Sequence, residues 1–90
     1  MPLAEIVVQH EVGLHARPAA AFVRLAASFP CEITVCNLTA ASPVVNAKSI
    51  LGVLTLGVNQ GHKIALETAG QQADEALAAL VKLIETNFGE

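Results

Sequence analysis

The stretch Gly13-Leu14-His15-Ala16-Arg17-Pro18-Ala19 places one imidazole just ahead of a proline that can open a helix, with an arginine between them. Neutral imidazole is a competent nucleophile at physiological pH. A helix start offers N–H groups that have no intrahelical acceptor, and these favour an anion. Arg17 adds a delocalised cation with a forked set of donors. Pro18 suits a first turn, where its missing N–H costs nothing and its ring fixes the backbone. Phosphoryl transfer needs a nucleophile, donors for the phosphate oxygens and relief of negative charge. Here His15 is the candidate nucleophile, with the backbone of Ala16 and the side chain of Arg17 as candidate phosphate holders. A phosphorus–nitrogen bond is labile, so such a group can be handed on. Taken alone, however, a histidine before a helix is more often a cap or a surface residue, and the rest of the chain has to decide between the two.

The elements that would position this stretch can be read in order. Glu5 to His10 alternates, Ile6 and Val8 on one face, which predicts a strand closed by the turn-forming Gly13. From Pro18 the apolar residues Phe22, Val23, Ala26 and Phe29 recur at helical spacing until Pro30 ends the helix. Glu32 to Leu38 is rich in β-branched residues and predicts a second strand. Thr39 to Ser42 reads as a loop, and Pro43-Val44-Val45 as the start of a short strand, where proline belongs at the first residue or an edge. Ser49 is a natural N-cap for a short helix that runs to about Leu56 and stops at Gly57. Lys63 to Thr68 alternates again between Gly61 and Gly70. A final helix carries Ala73, Leu77, Leu80, Ile84 and Phe88 on one stripe, with Asp74 and Glu75 at its start and Lys82 towards its end. The order β-α-β-β-α-β-α predicts an α+β open-faced sandwich, a four-stranded antiparallel sheet with three helices on one face. The expected domain is a single one covering 1–90.

Composition narrows the function further. A chain of 90 residues with 53% hydrophobic content can bury one core. No apolar run approaches the ~20 residues of a membrane span, and Met1-Pro2-Leu3-Ala4-Glu5 lacks the basic start and apolar stretch of a secretory signal. These features predict a cytoplasmic protein with no membrane role. A net charge of −3 argues against nucleic acid as a partner. Arg17, Arg24 and Lys48 fall near the proposed site, whereas Glu67, Asp74, Glu75, Glu85 and Glu90 crowd the last quarter, so a locally basic patch facing an acidic protein is expected. Cys31 and Cys36 are an odd number of positions apart in a strand, point to opposite faces and should stay reduced. His10 and His62 read as ordinary strand-end or turn residues. With no spaced thiol or acid to complete a set with His15, neither a metal nor another cofactor is expected. In the short helix after Ser49, Val53 and Leu56 should face the sheet. That leaves Leu51 and Leu54, with Ile50 in part, towards solvent as an apolar docking surface rimmed by Arg17, Arg24 and Lys48.

Two blocks carry a family resemblance. Gly13 to Ala19 resembles the active-site signature of the HPr family, the histidine-containing phosphocarriers of the bacterial sugar phosphotransferase system. Asn46-Ala47-Lys48-Ser49-Ile50-Leu51-Gly52-Val53-Leu54-Thr55-Leu56-Gly57 resembles that family's second signature, at the family's spacing. Two blocks at the right separation are far more specific than either alone. The resemblance implies a monomeric carrier, not a true enzyme. Phosphorylated Enzyme I would charge His15 on Nδ1 with Arg17 as charge partner, and the group would pass to sugar-specific IIA proteins. It also implies Ser49 as a regulatory serine, served by a serine kinase/phosphorylase and read by a transcriptional regulator. Two other outputs stay open: a regulatory phosphocarrier like the nitrogen-related branch, and a non-catalytic interaction module. The stretch Thr39-Ala40-Ala41-Ser42-Pro43 departs from the family's usual polar turn, away from both signatures.

Overall fold

Alternation in the two central strands dictates the architecture. The computed structural model describes residues 2–89; Met1 and Glu90, used above in the leader and charge arguments, lie outside it. The elements run β1 (Leu3–Val7), α1 (Ala16–Ala27), β2 (Glu32–Asn37), β3 (Val45–Asn46), α2 (Ile50–Thr55), β4 (Lys63–Ala69) and α3 (Ala73–Glu85), then a 3-10 turn at Asn87–Gly89. The strands form one antiparallel sheet in the order β1-β4-β2-β3. Ile33, Val35 and Asn37 of β2 and Ile64, Leu66 and Thr68 of β4 are all buried, while the residues between them are more open. The buried face is roofed by the helices through Phe22 and Ala26 of α1, Val53 of α2, and Ala76, Leu80 and Ile84 of α3. The α+β open-faced arrangement expected from the pattern is the one observed.

Several boundaries move, each for a physical reason. The first strand begins at Leu3, not Glu5, because the ladder to β4 already starts at Leu3 opposite Glu67. It ends at Val7, although Val8 still donates to the carbonyl of His62 at 2.9 Å. His10 then leaves the sheet: its Nδ1 accepts from the N–H of Val12 at 3.2 Å and its carbonyl from the N–H of Gly13 at 2.9 Å. The short edge strand begins at Val45 rather than Pro43 and is Val45–Asn46, because only Val45 and Asn46 come into register with Val35 and Thr34. In α3, Ala76 belongs to the buried stripe and Ala73 is only half-buried. Phe88 is buried, but from beyond the helix, at a left-handed φ of 59°. The loop that looked too apolar is held by Asn37, which is fully buried. Asn37 donates to the carbonyl of Leu56 at 3.0 Å and to Nδ1 of His62 at 3.1 Å, and accepts from the N–H of Ala40 at 3.2 Å. Both cysteines are free, Cys31 buried and Cys36 half-buried.

Candidate functional site

The His15 stretch is pinned to the fold by the two residues before it. Leu14 is fully buried in the core, and its N–H donates to the carbonyl of Val58 at 3.0 Å. Gly13 has a φ of +66°, and a Cβ there would stand 2.1 Å from the Val58 oxygen. Only glycine combines that left-handed backbone with so close an approach. Val58 follows the end of α2 by three residues, so the His15 stretch leans on the chain that leaves α2.

His15 is the N-cap of α1, with extended backbone (φ −129°, ψ 162°) and no capping bond from its side chain. The first turn of α1 contains no acidic residue. The N–H groups there therefore face neither an intrahelical acceptor nor a built-in carboxylate, which is the condition for receiving an external anion. Ala16 stands at a φ of +51°, a left-handed setting that L-residues adopt at a cost of about 1–2 kcal/mol. The strain lies beside the proposed nucleophile. Arg17 is exposed and close to that turn, whereas Pro18 and Ala19 are buried and fix the helix start against the core. His15 itself is half-buried, accessible at one end of the helix.

The residues expected to dock fall into two groups. On α2 the buried Val53 and Leu56 face inward, while Ile50, Leu51 and Leu54 are 41%, 74% and 39% exposed, as the spacing required. Ser49 is the N-cap, its Oγ accepting from the N–H of Gly52 at 3.1 Å. The cations of the expected basic rim each have a place along α1. Arg24 lies in the last turn of α1, about 10 Å of helix rise beyond Arg17. The ammonium of Lys48 donates to the carbonyl of Phe29 at 2.7 Å, just past the same end of the helix. Both cations complement the negative end of the α1 dipole, and Lys48 directly precedes the Ser49 cap of α2.

His10 and His62 do not converge on His15 as co-ligands. His10 is buried with its ring edge against Phe88, the ring centroids 5.8 Å apart, and His62 accepts from Asn37 and from the N–H of Asn59. Among the described residues no three histidine, cysteine or acidic side chains gather as metal ligands, and no helix is long and apolar enough to cross a membrane. Two structural anchors escaped the sequence reading, Asn37 and Lys48. A buried Asn at the inward register of β2 is the signal that would have marked the first.

Comparison with known proteins agrees with this geometry. Residues 3–86 match the family model PTS-HPr, described as the PTS HPr component phosphorylation site. The phosphocarrier protein HPr of Pseudomonas aeruginosa is 43% identical over 90 residues, covering 100% of this chain and 98% of the relative. A multiphosphoryl transfer protein of Haemophilus influenzae is 42% identical over 83 residues, covering 92% of this chain but only 17% of that longer protein. Among solved structures, an HPr from Thermoanaerobacter tengcongensis superimposes with a TM-score of 0.94 at 46% identity, covering 100% of this chain and 98% of the other.

Proposed function

The chain belongs to the HPr family of phosphotransferase-system phosphocarriers, and from that premise we propose that His15 accepts a phosphoryl group from phosphorylated Enzyme I and passes it to sugar-specific IIA proteins. The observation that carries this reading is the uncapped, acid-free first turn of α1 with His15 at its mouth and Arg17 beside it. In the forward step Nδ1 of neutral His15 attacks phosphorus on the donor's phosphohistidine. The bond from phosphorus to the donor nitrogen breaks as the bond to Nδ1 forms, and each ring keeps the hydrogen on its other nitrogen. The first-turn N–H groups, that of Ala16 included, and the guanidinium of Arg17 take up the charge on the equatorial oxygens. Transfer to the acceptor repeats the exchange in reverse. The protein thus cycles as a carrier, chemically changed after each half-reaction, and works as a monomer in the cytoplasm over one domain, 1–90.

The exposed Ile50, Leu51 and Leu54 supply the apolar contact with both partners, and Arg17 and Arg24 give it positive charge. Lys48, its ammonium engaged with Phe29, contributes less. Ser49 is proposed as a regulatory phosphorylation site for a serine kinase/phosphorylase, with a transcriptional regulator as reader. A phosphate there keeps an oxygen on the Gly52 N–H and suits the helix start, so the fold survives while the added charge opposes docking. The test is incubation with Enzyme I and phosphoenolpyruvate, followed by intact mass before and after acid. An acid-labile gain of one phosphoryl group, absent in His15→Ala, is expected, and Arg17→Ala should slow the gain without lowering the melting temperature. No gain, or an acid-stable one, overturns the reading.

A further inference from the structure

The two edges of the sheet are not alike. At one edge β3 is only two residues long and follows Pro43 and the exposed Val44, which blunts it as a template. At the other edge β1 is a regular five-residue strand with no proline and no bulge between Leu3 and Val7. Its hydrogen-bonding phase follows from its neighbours. The carbonyl of Pro2 accepts from Thr68, and Val8 exchanges bonds with His62 and Gly61. In an antiparallel ladder the bonded residues alternate, so Ala4 and Ile6 bond to β4, and the N–H and C=O groups of Leu3, Glu5 and Val7 point off the sheet. Among the described residues no strand pairs with that side.

A groove of about 440 Å³ opens at the C-terminal end of this edge, lined by Ile6, Val7 and Gln9 on one side and by Ile84, Glu85 and Asn87 around the end of α3 on the other. Among the described residues the charged side chain lining it is Glu85, at the negative end of the α3 dipole. On the open face of the sheet Glu5 is 53% exposed and shares only a 4.0 Å ion pair with Lys63, while Glu67 stands opposite Leu3. Leu3 is 59% exposed. Among the described residues the edge therefore presents free backbone donors and acceptors, an apolar groove at one end and a surplus of negative charge.

We propose that this edge is a second docking surface, which takes an extended basic peptide segment of a partner protein by addition of a strand antiparallel to β1. Side chains of the added strand that lie opposite Leu3, Glu5 and Val7 project to the open face. The segment it fits has an apolar residue, a spacer, a lysine or arginine, a spacer and a second apolar residue, the cation opposite Glu5. The spacers project towards Ile6 and the groove, where Glu85 favours a second cation. A second copy of this chain is a poorer occupant. Two-fold pairing that uses all three outward residues sets Glu5 against Glu5 of the other copy, and directly opposed like charges are unfavourable in a sheet. No residue of the His15 site takes part.

The test titrates uniformly 15N-labelled protein with the peptide acetyl-Thr-Val-Thr-Lys-Thr-Val-Thr-amide, alongside the same peptide with glutamate for lysine. The expected result is saturable shifts at the amides of Leu3, Glu5 and Val7 and at residues 84–87. Solvent exchange should slow at Leu3, Glu5 and Val7, roughly tenfold at about 90% occupancy, and should not change at Ala4 and Ile6. The lysine peptide should bind roughly fivefold more tightly than the glutamate peptide, and Glu5→Lys should reverse that order. Methylating alternate peptide nitrogens on the pairing side should abolish binding. Absence of shifts at millimolar peptide, shifts centred elsewhere, or equal affinity for the two peptides overturns the proposal. So does a concentration-dependent dimer whose β1 amides are already protected without peptide, which would make a second copy the occupant.

Discussion

Replacing Gly13 by alanine separates a packing requirement from a conformational one. Three neighbouring glycines, Gly13, Gly57 and Gly61, have φ between +61° and +88°. An alanine at any of them incurs the left-handed penalty of about 1–2 kcal/mol. At Gly57 and Gly61 nothing lies within 4 Å of the added Cβ, so that penalty is the whole expected cost. At Gly13 the Cβ meets the Val58 oxygen at 2.1 Å and the Cα of Asn59 at 2.8 Å, both backbone atoms that no rotamer change can move aside. The stretch must lift away, and the bond from Leu14 to Val58 then lengthens or breaks, adding about 1 kcal/mol, with further loss as Leu14 backs out of the core. Gly13→Ala should therefore cost about 2–4 kcal/mol in all. For a domain of this size that lowers Tm by about 8–32 °C, against about 4–16 °C for Gly57→Ala. Circular-dichroism melts of the single variants measure the difference directly. Phosphorylation by Enzyme I below the transition should slow in Gly13→Ala, since His15 is displaced with the stretch. Equal melting temperatures for the Gly13 and Gly57 variants would refute the close approach to Val58 as the reason for glycine.

Ser49→Ala should lose about 1 kcal/mol, because the Gly52 N–H loses its acceptor. Ser49→Asp should keep the cap and the melting temperature yet accept phosphoryl groups more slowly, and an equally fast Ser49→Asp would count against a switch based on charge. Leu51→Asp, at 74% exposure, should hold Tm within about 3 °C while phosphoryl transfer drops, whereas Val53→Asp, fully buried, should fail to give a cooperative melt; concurrent unfolding of Leu51→Asp would remove the docking role. Asn37→Leu should cost about 3 kcal/mol in urea titrations, since it strands the Leu56 carbonyl and the Ala40 N–H, and a neutral result would show that water replaces the side chain.

The parts legible in the sequence are those governed by a single period or a single residue type. Alternation in Lys63 to Thr68 needs no partner to be read, and neither does Ser49 ahead of a short apolar run. Val53 and Leu56 turn inward and Leu51 outward because a two-turn helix has only one face to bury. What escaped depends on distant partners. Lys48 looks like a surface cation until α1 is seen to end beside it, where the Phe29 carbonyl captures its ammonium. Asn37 is one polar residue at the end of a β-branched run, and its three partners come from residues 40, 56 and 62. His10 continues the alternation of β1 but leaves its ladder after Val8, because Gly13 and Val12 close the turn on the two acceptors of His10.

The site itself works through what its sequence withholds. Most helix starts are closed by a serine, threonine or aspartate side chain, which satisfies the free N–H groups and stabilises the helix by about 1 kcal/mol. In α2 Ser49 does this. In α1 the N-cap is a histidine that makes no such bond, the first turn holds no acid, and Ala16 sits at a strained φ. Such a start would fray unless packing held it, and the fold supplies that packing on both sides: Leu14 before the histidine and Pro18 and Ala19 after it are all buried. The stabilisation ordinarily drawn from a cap is here drawn from the core, which, for the proposed transfer, leaves the N–H groups to a group that arrives and departs. A capped start would be more stable and a worse phosphoryl acceptor, because its donors would already be occupied. On the proposed role of His15, that trade between local stability and an open anion site accounts for the strained and uncapped features gathering around it while α2 is capped.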